Sequence, residues 1–203
     1  MGELQYEDKN YDAIKNWEKG IETDPSYSKN YYNAAKYYFF TTDKVWSIFY
    51  GEIFVNMEPA GNKTPEIKQL LLDAYKKLFA DPDPEKNNKD KNLFVKNYLQ
   101  IMNGQISVAS AGINTESLAM IRTRFVLNWF ANNEIKMPVR LFEYQKQLLK
   151  EGIFEAYNQW LFGAAENGSA YQNWINANTE ANNAFINLQK ARIFKLPAGQ
   201  YYH

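Results

Sequence analysis

The chain has 203 residues, 23 Lys and Arg against 23 Asp and Glu, 45% hydrophobic and 16% aromatic content, no cysteine and one histidine, His203. That composition suits a folded core. It excludes disulfide, thiolate, zinc-finger and iron–sulfur chemistry, offers no histidine for a triad or an imidazole metal cage, and lacks the basic surplus by which nucleic-acid binders neutralise phosphate. No stretch reaches the roughly 18 apolar residues of a membrane span, and residues 1–7 are too polar for a signal peptide.

Helical periodicity recurs along the chain and strand alternation does not. Residues 10–22 predict an amphipathic helix with Ala13, Ile14, Trp17 and Ile21 on one side, stopped by Asp24 and Pro25. Ser26 or Ser28 can cap the next helix, which runs to about Phe40. After the break at Thr41, Thr42 and Asp43, a third helix spans 44–57, with Val45, Ile48, Phe49, Ile53 and Val55 or Met57 as its core, and Pro59 and Gly61 end it. Thr64, Pro65 and Glu66 supply a capping hydroxyl, a first-turn proline and an acid near the positive helix end. Ile67, Leu70, Leu71, Ala74, Tyr75 and Leu78 give that helix an apolar stripe.

Residues 81–91, rich in Pro, Asn and charge, predict a linker. A helix at 93–102 follows, then a short helix in preference to a strand within 104–112. Asn114, Thr115 and Glu116 cap a helix to residue 130, with Leu127 or Trp129 turned inward. Further helices are expected at 138–151, closed by Gly152, at 153–163 and at 169–191. Residues 195–203 predict an irregular tail, with His203 either disordered or the remnant of a tag. The expectation is one all-α domain, 1–203, of eight or nine helices packed as antiparallel hairpins, divided into 1–80, the 81–91 linker and 92–203.

Pro25 and Pro59 are 34 residues apart. Tyr31, Ala34, Ala35 and Tyr38 have the spacing of the first helix of a repeat unit, and Ala13, Trp17, Gly20, Asp24 and Pro25 that of a preceding second helix. Small residues let the helices approach and large ones fill the holes between them. Residues 4–59 thus resemble the tetratricopeptide repeat family, whose period is about 34 residues. Ser47 and Gly51 depart from the pattern, standing where an Ala and an aromatic are usual. An echo lies 143 residues downstream, where Phe154, Ala156, Trp160, Gly163, Ser169, Asn173, Trp174 and Ala177 answer Tyr11, Ala13, Trp17, Gly20, Ser26, Asn30, Tyr31 and Ala34. It suggests a second pair at 154–178. The resemblance also implies that the helix partnering Trp17 begins upstream of Met1, leaving only its end at 4–7, and the Asn-, Tyr- and Lys-rich style is similar to that of members exported to the envelope of Gram-negative bacteria.

In that family the inner face of each first helix lines a groove for a peptide or a partner helix. Carried over, the positions are Lys29, Tyr32, Lys36 and Phe39, which share one helix face at i, i+3, i+7 and i+10. Two lysines and two rings suit an acidic or carboxylate-ended peptide. The competing expectation is that the rings pack and the lysines are solvated. The dense rings Tyr27, Tyr31, Tyr32, Tyr37, Tyr38, Phe39, Phe40, Trp46, Phe49 and Tyr50 suggest either core or a sugar-binding surface. Arg122 and Arg124 point about 200° apart on an apolar helix, so one of them can turn inward, where it needs a carboxylate. No catalytic constellation, cofactor motif or phosphate loop stands out. The sequence therefore favours a non-catalytic scaffold that binds a protein or peptide, with a carbohydrate-binding envelope protein as the alternative.

Overall fold

The computed structural model describes residues 12–132 and 137–203. The helix remnant expected at 4–7, and the expected helix start at Asn10, lie outside them. Four helices open the fold: α1 (Ala13–Thr23), α2 (Ser28–Phe39), α3 (Lys44–Met57) and α4 (Thr64–Ala80). Each packs on the next through a turn of a few residues.

Small residues set those approaches. A Cβ added at Gly20 would lie 2.3 Å from the Asn30 side-chain nitrogen, and one at Gly51 would lie 3.0 Å from Leu71 Cδ2. Ser47 donates to the Ala35 carbonyl at 2.9 Å. The two departures from the tetratricopeptide pattern thus sit where α3 is pressed between α2 and α4. Every residue of α3 from Val45 to Asn56 is buried, as expected of a helix apolar on all sides.

Local ties differ in places from the capping read in the sequence. Ser28 donates to Glu58 at 2.8 Å and Ser26 to Asp24 at 2.6 Å. Tyr27 occupies the cap of α2 without a side-chain bond, and Asp43 makes none to α3. The Thr64 hydroxyl donates to the Glu58 carbonyl, closing the preceding turn instead of capping α4. Asn114 does cap its helix, accepting from the Ser117 amide at 2.8 Å.

The linker holds a one-turn helix, α5 (Pro84–Asn87), capped by Asp83. Then come α6 (Leu93–Asn103), α7 (Ile106–Ala109), α8 (Thr115–Asn132), α9 (Arg140–Lys150) and α10 (Phe154–Asn158). The last continues through a π-helical turn, Gln159–Gly163, into α11 (Ala164–Glu166), and α12 (Gly168–Ala177) and α13 (Thr179–Ala191) follow. The helices exceed the expected eight or nine. The short helix expected within 104–112 is α7, the additional ones are α5 and α11, and a break at Asn178 (φ −124°, ψ 40°) divides the expected 169–191 helix. Among the described residues there is no strand. Gly152 ends α9 at φ +72°. Its amide reaches the Leu149 carbonyl at 3.1 Å and that of Ile153 reaches Leu148 at 3.0 Å, the paired bonds of a Schellman turn.

Helices α6, α8 and α9 close an aromatic core around α3. The Trp46 ring stacks 5.2 Å from Phe94, Trp129 meets Phe142 at 4.7 Å, and Tyr98 meets Phe125 at 4.7 Å. Trp129 is the residue turned inward, whereas Leu127 is 61% exposed. Residues 195–203 have no helix, as expected, yet they pack against the body. Leu196 is buried, the Gln200 side chain accepts from the Arg140 amide at 2.8 Å, and Tyr202 stacks 5.4 Å from Phe94. His203 lies 2.8 Å from the Tyr38 hydroxyl, in a defined place that corrects the expectation of a disordered end.

The downstream echo has a partial counterpart. Gly163 faces Tyr171, with a Cβ reaching 2.6 Å from that ring, much as Gly20 faces Asn30. But α12 buries none of its residues, while α2 buries four. Among the described residues no helix is long and apolar enough to cross a membrane.

Candidate binding face

Of the positions Lys29, Tyr32, Lys36 and Phe39, the last three meet residues of α4. The Tyr32 ring leans on Phe54 of α3 at 5.4 Å. Its hydroxyl shares a hydrogen between the Glu66 oxygens at 3.1 and 3.0 Å. Lys36 Nζ lies 2.8 Å from the same carboxylate and 3.1 Å from the Tyr32 hydroxyl. Lys63 approaches Glu66 at 3.6 Å and stands 5.9 Å above the Tyr32 ring. The hydrogen bond from Lys36 is the chief cause that holds the Glu66 carboxyl below its ordinary value. The same contact raises Lys36.

Phe39 anchors a second cluster one helical stretch further on. Lys77 of α4 lies 3.9 Å over its ring and Lys44 of α3 lies 5.9 Å over it, at cation–π distance. Lys44 also donates to the Phe39 carbonyl at 2.9 Å. Burial, and then the neighbouring Lys77, lower the Lys44 pKa. A cleft of about 390 Å³ opens beside this pair, walled by Thr42, Lys44, Lys77, Asp81, Asn87 and Lys89. Lys29 is exposed near the start of α2. Tyr32, Lys36 and Phe39 therefore meet α4 on one side of α2. Sequence reading missed Glu66, Lys63, Lys44 and Lys77. No local spacing could have found them, because they reach the rings from other helices.

The remaining aromatic positions divide. Tyr31, Tyr38, Trp46, Phe49 and Tyr50 are core, while Tyr27 and Phe40 are exposed. Arg122 is the inward arginine. Its guanidinium contacts Glu52 of α3 and the Asn158 amide oxygen. Gln145 and Tyr157 donate to the same Glu52 oxygen at 2.6 and 2.7 Å. Burial disfavours the Arg122 charge, but Glu52 and the tyrosines around it outweigh burial and raise its pKa. A space of about 10 Å³ beside this cluster matches one water molecule. Arg124 points outward and is exposed.

No known protein family matches this chain, and neither a curated protein nor a solved structure is detectably similar to it.

Proposed function

We propose that the chain is a non-catalytic, tetratricopeptide-like binding module that holds an acidic peptide segment of a partner protein along the α2–α4 face. The observation that carries this reading is the convergence of Lys36, Lys63, Lys44 and Lys77 on two half-buried rings, Tyr32 and Phe39. Glu66 displays the chemistry in miniature, as a carboxylate held between a phenol and two ammonium groups. A ligand carboxylate gains the same kind of charge-assisted bond beside Phe39, where Lys77 and Lys44 already flank a ring. The 34-residue separation of Tyr32 from Glu66, and the small residues at the α1–α2, α2–α3 and α3–α4 approaches, support the repeat-like reading of this half.

The test is calorimetric titration with a Glu-rich decapeptide and its Lys-rich counterpart. The acidic peptide binds, less well as salt is raised, and Lys36→Glu/Lys77→Glu weakens it at least tenfold. Equal binding of both peptides, or an undiminished affinity in the variant, overturns the reading.

A further inference from the structure

A separate groove of about 660 Å³ runs between α8, the α9–α10 corner and α12. One wall is the outer face of α8, where Glu116, Met120, Thr123 and Arg124 recur at helical spacing. Met120 is 45% exposed there. The opposite wall is Trp174, whose Nε1 donates to Glu155 at 3.3 Å and so fixes the indole. Gln159, the first residue of the π turn, is half-buried at the groove. π turns inside helices frequently mark functional sites.

The polar side chains of this groove are open to a ligand. The side chains of Glu116, Thr123, Arg124 and Gln159 make no hydrogen bond or ion pair among the described residues and line the groove together. The chemistry of the set narrows the ligand. Carboxylate, guanidinium and amide are all planar and each can serve two neighbouring groups at once. Two carboxylates beside one guanidinium disfavour a strongly anionic ligand and give a cationic one only part of its neutralisation. Bare charged rims disfavour a wholly apolar ligand. A neutral ring with vicinal hydroxyls at its edge and C–H groups on its face satisfies every one of these conditions, and the indole offers the apolar plane on which such a ring rests.

We infer that this groove binds a neutral saccharide, with one pyranose ring against Trp174 and its hydroxyls bridged by Arg124, Glu116 and Gln159. The site is distinct from the α2–α4 face. The experiment is a printed array of neutral oligosaccharides, followed by fluorescence titration of the best-retained one. Arg124 is exposed and α12 buries no residue, so Arg124→Ala and Trp174→Ala keep the fold, which circular dichroism checks. The expected result is retention of at least one oligosaccharide, a saturable change in tryptophan emission, no retention by Trp174→Ala, at least a tenfold loss in Arg124→Ala, and unchanged binding in Lys36→Glu/Lys77→Glu. Retention that survives Trp174→Ala overturns the inference, as does an array on which the native protein holds no glycan above that variant.

Discussion

Arg122 of α8 and Glu52 of α3, 70 residues apart in sequence, meet in the interior with 2% of each side chain exposed. Through Gln145 and Tyr157 on the same oxygen, and Asn158 on the guanidinium, the pair ties α3 and α8 to α9 and α10. Two charges in the core gain from each other only while both are present. Arg122→Met strands a buried carboxylate and costs about 3–5 kcal/mol in unfolding free energy. Arg122→Met combined with Glu52→Leu removes both charges and recovers most of that loss. Urea denaturation of the two variants distinguishes a charge-pairing node from simple packing: equal losses in both mean that the side chains matter for shape alone.

Gly51 fixes the spacing of α3 against α4. A methyl there meets Leu71 Cδ2 at 3.0 Å and Ile67 Cγ2 at 3.4 Å, both on a buried helix face. Helix propensity favours Ala by about 1 kcal/mol, but crowding a packed core costs roughly 1–3 kcal/mol. Gly51→Ala is therefore destabilising by on the order of 1 kcal/mol. Gly168→Ala, where nothing lies within 4 Å, is neutral or slightly stabilising. Thermal unfolding of the two alanine variants side by side gives the comparison, and a Gly51→Ala protein at or above the native midpoint contradicts it.

The lysines of the proposed peptide face are dispensable for folding. Lys36 and Glu66 are 36% and 42% exposed, and ion pairs of that exposure contribute about 0–1 kcal/mol. Lys36→Glu/Lys77→Glu keeps its unfolding free energy within about 1 kcal/mol of the native value while losing the acidic peptide. A cooperative collapse of the fold in this variant shows instead that the face is structural.

Elements governed by local chemistry were legible in the sequence. The 44–57 helix, the helix starts at Thr64 and Leu93, the cap at Asn114 and the stop at Gly152 depend on neighbours within a turn, and the structure has them there. Features that depend on distant neighbours were not. Ser47 and Gly51 read as departures from a repeat because the Ala35 carbonyl and Leu71 that require them lie on other helices. The direction of Arg122 stayed open until Glu52 supplied its partner. Asn178 breaks a segment of continuous helical character, and the π turn leaves the same apolar positions as a regular helix, so periodicity sees neither. For the candidate face, the α2 positions followed from spacing, but the carboxylate and lysines that surround them come from α3, α4 and the α3–α4 turn. The tail gave no periodic signal because it packs by single rings and hydrogen bonds.

The end of that tail predicts a pH response. Tyr38 donates to Glu18 at 2.6 Å, His203 Nε2 lies 2.8 Å from the Tyr38 hydroxyl, and His203 Nδ1 lies 3.3 Å from the other Glu18 oxygen. A proton on either the Glu18 carboxyl or the imidazole changes the charge of this group across the 3.3 Å approach. Burial pushes Glu18 up from 4.5 to about 7, with Asp90 adding to the rise and the Tyr38 bond opposing it. Burial lowers His203, against Asp90 and Asp43. Both shifts place the proton on the carboxyl. Between pH 4.5 and about 7 the native state keeps a proton that the unfolded chain has lost, so this contribution is full below that window and declines as pH rises through it. His203 acts in the opposite sense, losing stability as pH falls through 6.5. Glu18→Gln keeps the shape and removes the carboxyl titration. The difference in unfolding free energy between native protein and variant therefore falls by on the order of 2–3 kcal/mol from pH 4.5 to 8, measured by urea unfolding at fixed ionic strength. A difference that stays level over that range shows that no proton is shared in the triangle.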